Sequence, residues 1–202
     1  EENGFMIDYR VPMSVEGDDA SATVRSMGTA LSGFADAYRA LTPDLLVVLG
    51  DRYEILAAVT AALIFHIPVA HIHGGEITEG AFDDAIRHAI TKMSHLHFAS
   101  TEAYRQRIIQ LGEQPDTVFH VGALGVDNIR QIPLWDKKTT EESLGGFPLD
   151  KNTVLVTFHP VTLENQTAAG QTDELLGALD SVNELRVIFT MPNSDTGNRI
   201  IA

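Results

Sequence analysis

Two imidazoles and a carboxylate surround a glycine pair in His71-Ile72-His73-Gly74-Gly75-Glu76. A little further on, Asp83-Asp84-Ala85-Ile86-Arg87-His88 adds two more carboxylates, a guanidinium and another imidazole. Imidazoles and carboxylates are the side chains that take and return protons near neutral pH, so this density points to acid–base work. Asp51, in Gly50-Asp51-Arg52, follows the apolar run Leu45-Leu46-Val47-Val48-Leu49. If that run and the one ending at Ile72 are adjacent parallel strands, Asp51, His73 and Glu76 are aimed into one crevice.

The elements needed to hold these groups follow from apolar periodicity. A helix is expected from about Asp19 to Leu41, then strand Leu45–Leu49, helix Tyr53–Phe65, strand Val69–Ile72 and helix Asp83–Ser94. Strand Leu96–Ala99, helix Thr101–Leu111 and strand Thr117–Val121 continue the alternation, which is the doubly wound α/β signature. Ile86, Ala89, Ile90 and Met93 form the expected sheet-facing stripe of the Asp83 helix, with Asp84, Arg87 and His88 on its other faces and Asp83-Asp84 as its cap. Residues 1–131 therefore read as one Rossmann-like domain. Residues 132–150, with Pro133, Trp135, Gly145-Gly146 and Pro148, read as a connection. A second cycle occupies 151–202: strand Thr153–Phe158, a loop at His159-Pro160, helix Gln171–Val182, strand Arg186–Thr190 and the loop holding Asn193.

Composition narrows the function classes. The chain has 202 residues, is 44% hydrophobic and contains no cysteine, so neither a disulfide framework nor a thiolate metal site is available. A net charge of −14 argues against nucleic acid as a partner, because a phosphate backbone needs a basic surface. The apolar run from Ile55 to Phe65 is interrupted by Thr60 and falls well short of the roughly 20 residues a bilayer requires. No signal peptide is visible at Glu1-Glu2-Asn3-Gly4, so the expected setting is cytoplasmic. An anionic small ligand would need local positive groups such as Arg52, Arg87, His159 or helix N-termini.

Gly50-Asp51-Arg52-Tyr53-Glu54, the run from His71 to Gly80, the run from Asp83 to Lys92, and Phe158-His159-Pro160-Val161-Thr162 together resemble the hydrolysing UDP-N-acetylglucosamine 2-epimerases. The match runs in order from about Pro43 to Asn193. The resemblance implies a two-domain fold of the B-type glycosyltransferase architecture, with ligand in the cleft between two Rossmann-like halves. Against that pattern the chain lacks a first strand with its glycine and arginine loop, and the later part of the second domain that holds uridine. The part present is therefore not expected to turn over substrate by itself. Relatives imply a homodimer or homotetramer, no cofactor, and a place in sialic or similar nonulosonic acid synthesis.

The chemistry implied by that family explains why such residues are needed. The C2 proton of an N-acetylhexosamine is not activated by a carbonyl, so epimerisation proceeds by anti elimination of UDP through a glycal, followed by hydration with C2 inverted. A base near C2, a carboxylate facing the cation-like sugar and donors on the departing diphosphate are required. Carried over by position, Asp51 and Asp83 match acid–base carboxylates and His159 a catalytic histidine. Several relatives have glutamate where His73 stands. Either His73 is the base, with Glu76 supplying negative charge, or His73 hydrogen-bonds substrate while Asp51 or Asp83 moves the proton. Arg52, Gly74, Gly75, Arg87, His88 and Asn193 are the expected substrate contacts.

Plainer readings exist for each residue taken singly. Arg87 and His88 can pair with Asp83 and Asp84 one helical turn away. His95 and His97 read as surface or satisfied histidines, and Tyr53 and Trp135 as packing residues. Two other classes also fit parts of the pattern: a metal-dependent hydrolase using His71, His73 and Glu76, and a nucleotide-sugar-binding B-type glycosyltransferase without epimerase activity.

Overall fold

The structure, a computed structural model, describes residues 4–13, 17, 19–159 and 167–191. The chain divides into two compact units, Glu1–Val126 and Asp127–Ala202.

In the first unit, α1 (Ala20–Leu41) begins where Asp19 accepts the Ala22 amide at 2.7 Å. It ends at Thr42, which adopts left-handed dihedrals and donates its amide to the Tyr38 carbonyl. There follow β1 (Leu46–Leu49), α2 (Tyr53–Ile64), β2 (Val69–Ile72), α3 (Asp83–Met93), β3 (Leu96–Ala99), α4 (Glu102–Gln110) and β4 (Val118–His120). The four strands are parallel and lie in the order β1-β2-β3-β4. Because that order never reverses, right-handed crossovers carry α2, α3 and α4 to one face of the sheet.

On the helix face the core gathers Tyr38, Val48, Val59, Ala62, Ile67, Val69 and Ile90. Val59, Val69 and Ile90 are fully buried, each contributing roughly 1.5–3 kcal/mol of apolar burial. Tyr38 packs α1 onto α2, its hydroxyl donating to the Ala58 carbonyl at 3.0 Å, and burial pushes that phenol up to about 12. Strand alternation sends Val47 and Leu49 to the opposite face, where both are exposed, as is Phe119, which stacks on Phe98.

The second unit holds α6 (Lys137–Ser143), β5 (Thr153–Val156), α7 (Ala168–Asp180) and β6 (Arg186–Phe189), with β5 and β6 parallel. Helix α5 (Leu124–Gln131) lies at the division between the units. Neither α5 nor α6 is among the elements expected from sequence, and neither contains a buried residue. α6 is fixed by polar means: Asp136 caps the Thr139 amide at 2.8 Å, and Lys137–Glu141 and Lys138–Glu142 pair along its surface. Trp135, expected to pack, is 65% exposed in this stretch, whereas Tyr53 is buried. No helix among the described residues is long and apolar enough to cross a membrane.

Candidate active site

Three polar loops begin directly after strands of the first unit. Gly50 and Asp51 follow β1, His73 follows β2, and Ser100 follows β3. Parallel pairing aligns these strands, Leu49 opposite Ile72 and Ile72 opposite Phe98, so the three loops leave the same sheet edge.

Arg87 organises the charges. Its Nη2 donates to Asp51 Oδ2 and, at 3.0 Å, to Thr78 Oγ1, while Nη1 lies 3.8 Å from Glu76 Oε2. Asp51 and Glu76 are thus neighbours of one guanidinium. The placement differs from the helical-turn pairing with Asp83 or Asp84. Arg87 is buried and Ala89 exposed, so the inward stripe of α3 is centred on Arg87, Ile90 and Thr91 instead of including Ala89. The carboxylate on β1's loop makes that burial tolerable for a charged side chain.

Glu76 is held from further sides. Ser100 Oγ donates to its Oε1 at 2.6 Å, and His73 Nδ1 lies 3.0 Å from the same oxygen. The Leu124 amide points at His73 Nε2 across 3.5 Å, a contact in which the ring nitrogen accepts. The ring therefore carries its proton on Nδ1 toward Glu76, and its Nε2 lone pair faces the long Leu124 contact. His73 itself has φ +66, a left-handed conformation uncommon outside glycine that turns the chain sharply after β2. Gly75, φ +77, completes the turn: a Cβ there would run into the Tyr104 carbonyl and the Ile108 side chain. Arg107, stacked over Tyr104, donates to the Gly75 carbonyl and fixes the turn to α4.

The remaining expected residues are placed as follows. Asp83 and Asp84 occupy the first turn of α3, not its cap: Phe82 holds the cap position with helical dihedrals and no side-chain bond. Their charge still suits the helix N-terminus, and Asp84 accepts the Thr78 amide at 3.2 Å. His88 Nε2 lies 3.6 Å from Asp84, so it follows the i,i+4 reading. Arg52 pairs with Glu54 and lies over the Tyr53 ring. His159 is an exposed residue after β5 in the second unit, and Asn193 lies outside the described residues. Ser100, Thr78 and Arg107 escape a motif-based reading, although Ser100 occupies the same strand-end position as His73.

A shared metal site is not formed by His71, His73 and Glu76. His71 is fully buried, its Nε2 facing the Gly50 carbonyl at 2.8 Å and its Nδ1 facing Thr91 Oγ1 at 3.3 Å. Strand alternation turns it toward the helix layer, where Thr91 of α3 meets it and both ring nitrogens face protein groups. Among the described residues no group of three or more His, Asp or Glu side chains is gathered for a cation. His97, expected at the surface or satisfied, is also fully buried, with Nε2 3.4 Å from Glu113.

The first unit is a parallel α/β layer whose polar loops gather at one strand edge. The sequence profile of the UDP-N-acetylglucosamine 2-epimerase family matches residues 1–202, and the chain belongs to that family. A Campylobacter jejuni protein named GDP/UDP-N,N'-diacetylbacillosamine 2-epimerase (hydrolyzing) is 42% identical over 200 residues, covering 99% of this chain and 52% of that protein. An Escherichia coli protein named polysialic acid biosynthesis protein P7 is 43% identical over 202 residues, covering 100% of this chain and 51% of its own length. The chain thus spans about half the length of these relatives. The crystal structure of the Neisseria meningitidis UDP-GlcNAc 2-epimerase bound to UDP-GlcNAc aligns with a TM-score of 0.69 at 19% identity, over 92% of this chain and 52% of that one. That likeness gives the fold: α/β with parallel sheets, of the B-type glycosyltransferase architecture.

Proposed function

We propose that the intact protein is a hydrolysing 2-epimerase acting on UDP-N-acetylglucosamine or a close 2-acetamido relative. The observation that carries this reading is the convergence of Asp51, Glu76 and His73 around Arg87 and Ser100, in a chain of the epimerase family. The two relatives of near-equal identity bear names of different sugar pathways, so the substrate is proposed as a class of 2-acetamido sugar.

In this mechanism the anomeric C1–O bond breaks and UDP departs with the bonding electrons. His73 Nε2 accepts the C2 proton, and the C2–H electrons become the C1–C2 double bond of a glycal. Glu76, held by Ser100, keeps the proton on Nδ1 and stabilises the imidazolium that forms. Asp51, paired with Arg87, faces the cation-like sugar. Asp83, at the start of α3, is the second acid–base carboxylate, and His159, Arg52 and His88 are the proposed donors to substrate. Water then adds its oxygen to C1 and a proton returns to C2 on the opposite face, giving the free inverted sugar, a precursor for nonulosonic acid synthesis.

Proton NMR of the intact protein with UDP-N-acetylglucosamine in heavy water tests this. The expected result is deuterium at C2 of released N-acetylmannosamine and one UDP per sugar. Retention of the original C2 hydrogen, or no inverted sugar without an added acceptor, overturns the reading, the latter in favour of a transferase.

A further inference from the structure

Beneath the three charged segments lies a side chain that none of the chemistry above uses. His71, in β2, is fully buried and touches all three. Its Nε2 is 2.8 Å from the Gly50 carbonyl, and a carbonyl only accepts, so Nε2 carries the proton. The neutral ring then presents Nδ1 as an acceptor, 3.3 Å from Thr91 Oγ1. Thr91 is itself fully buried, and its hydroxyl lies 3.0 Å from the carbonyl of Arg87 one turn earlier on α3.

Backbone geometry makes these contacts consequential. Gly50 has φ +82 and directly precedes Asp51, so holding its carbonyl fixes the direction in which the Asp51 carboxylate leaves β1. Gly74 rests on the ring: a Cβ there would come within 3.0 Å of His71 Nδ1 and 3.1 Å of Thr91 Oγ1. The turn that carries His73 and Glu76 therefore takes its height from the same imidazole. Burial pushes the ring down to about 4, which keeps it in one neutral form at physiological pH.

We propose that His71 is the positioning residue of this site, using Nε2–H on Gly50 and Nδ1 opposite Thr91 to set the spacing of Asp51, Arg87 and the Gly74-Gly75-Glu76 turn. It touches no substrate atom. The proposal rests on the reading of Asp51 and Glu76 as reacting groups. An apolar residue of equal size would fill the volume but leave the Gly50 carbonyl without this donor.

Kinetics of the intact protein with UDP-N-acetylglucosamine provide the test. In His71→Phe, kcat is expected to fall about a hundredfold, on the scale of an ångström-sized misplacement, with KM changed less than about threefold. His71→Gln, whose amide nitrogen can still donate to Gly50, is expected to recover about tenfold of that loss. Equal kcat for His71→Phe and wild type, or a glutamine variant no better than phenylalanine, overturns the proposal. If His71→Phe does not fold, Thr91→Val takes its place, with an expected kcat loss of about tenfold and an unchanged rate as the overturning result. Nitrogen-15 NMR of the wild-type ring at pH 7 must show a protonated Nε2 and a bare Nδ1; the reverse tautomer overturns the proposal without any variant. Lack of C2 exchange in wild type would instead sink the functional reading, whatever the tautomer shows.

Discussion

Arg87 on α3 closes an ion pair with Asp51 at the end of β1, both largely out of solvent, and its other nitrogen faces Glu76. One guanidinium thus stands between two carboxylates that would otherwise repel each other. Removing it leaves negative charge with little water to screen it, and breaking a buried pair from one side is far more costly than replacing both members. Arg87→Met is expected to lower unfolding free energy by about 3 kcal/mol, the low end for such pairs because Asp51 retains some exposure. Adding Asp51→Asn should restore part of that loss. Urea denaturation of the two single variants and the double variant measures it, and additive losses would show that the pair is not coupled.

Ser100 lies 2.6 Å from Glu76, and Glu76 lies 3.0 Å from His73, a chain in which each group orients the next. Glu76→Gln is expected to cut kcat by about a hundredfold, and so is Asp51→Asn or Asp83→Asn, the scale of a lost acid–base or charge-stabilising group. Ser100→Ala, which removes only the donor to the carboxylate, is expected to cost about tenfold with KM little changed. Steady-state rates for the four variants check the ranking. A Ser100 effect as large as that of Glu76 would place the hydroxyl on the substrate itself.

Acid should weaken the fold through its buried histidines. His71 is pushed down to about 4 by burial, against 6.5 for the exposed ring, and His97 is pushed down by the same cause. Above pH 6.5 both states are neutral there and nothing is lost. As pH falls from 6.5 toward 4, the unfolded chain takes up a proton that native His71 refuses, so stability declines across that window. For His71 alone the loss approaches about 3 kcal/mol at the acid end. Denaturation midpoints between pH 7.5 and pH 4.5 test this. A flat profile, or a flat difference between wild type and His71→Gln, would show that the ring is not held neutral.

β1 to β4 are legible from sequence to within one residue at each end, because buried parallel strands are short apolar runs closed by glycine, proline or polar residues. α5 and α6 are not: α5 is a short helix whose Leu124, Val126 and Ile129 are all exposed, and α6 has no apolar side chain, so caps and salt links hold it. The site divides in the same way. Asp51, His73 and Glu76 can be proposed from their places after strands, and Ser100 could have been found by extending that rule to β3. The partner of Arg87 could not, because a charged helical residue reads locally as solvent-facing, and only the fold brings Asp51 to it. For the same reason His71 reads as a strand residue with a metal-binding option, when its two nitrogens are already engaged by Gly50 and Thr91.

His159 follows β5 and is exposed. Loops at the C-terminal ends of parallel strands are where α/β proteins meet ligands, and β5 pairs in parallel with β6. The chain has 14 Lys and Arg against 28 Asp and Glu, so a diphosphate must draw on particular local donors instead of a general positive field. An imidazole donating to a phosphate oxygen makes a charge-assisted bond of roughly 1.5–3 kcal/mol, which converts to about a tenfold to hundredfold change in affinity. His159→Ala is therefore expected to raise the Kd for UDP by at least about tenfold and to lower turnover, with the thermal midpoint nearly unchanged because an exposed loop side chain buries little. Titration calorimetry with UDP reads the first effect, C2 exchange the second, and scanning calorimetry the third. Unchanged UDP affinity together with unchanged exchange would remove His159 from the diphosphate. A large drop in thermal midpoint would instead identify it as a residue that the second unit needs for folding.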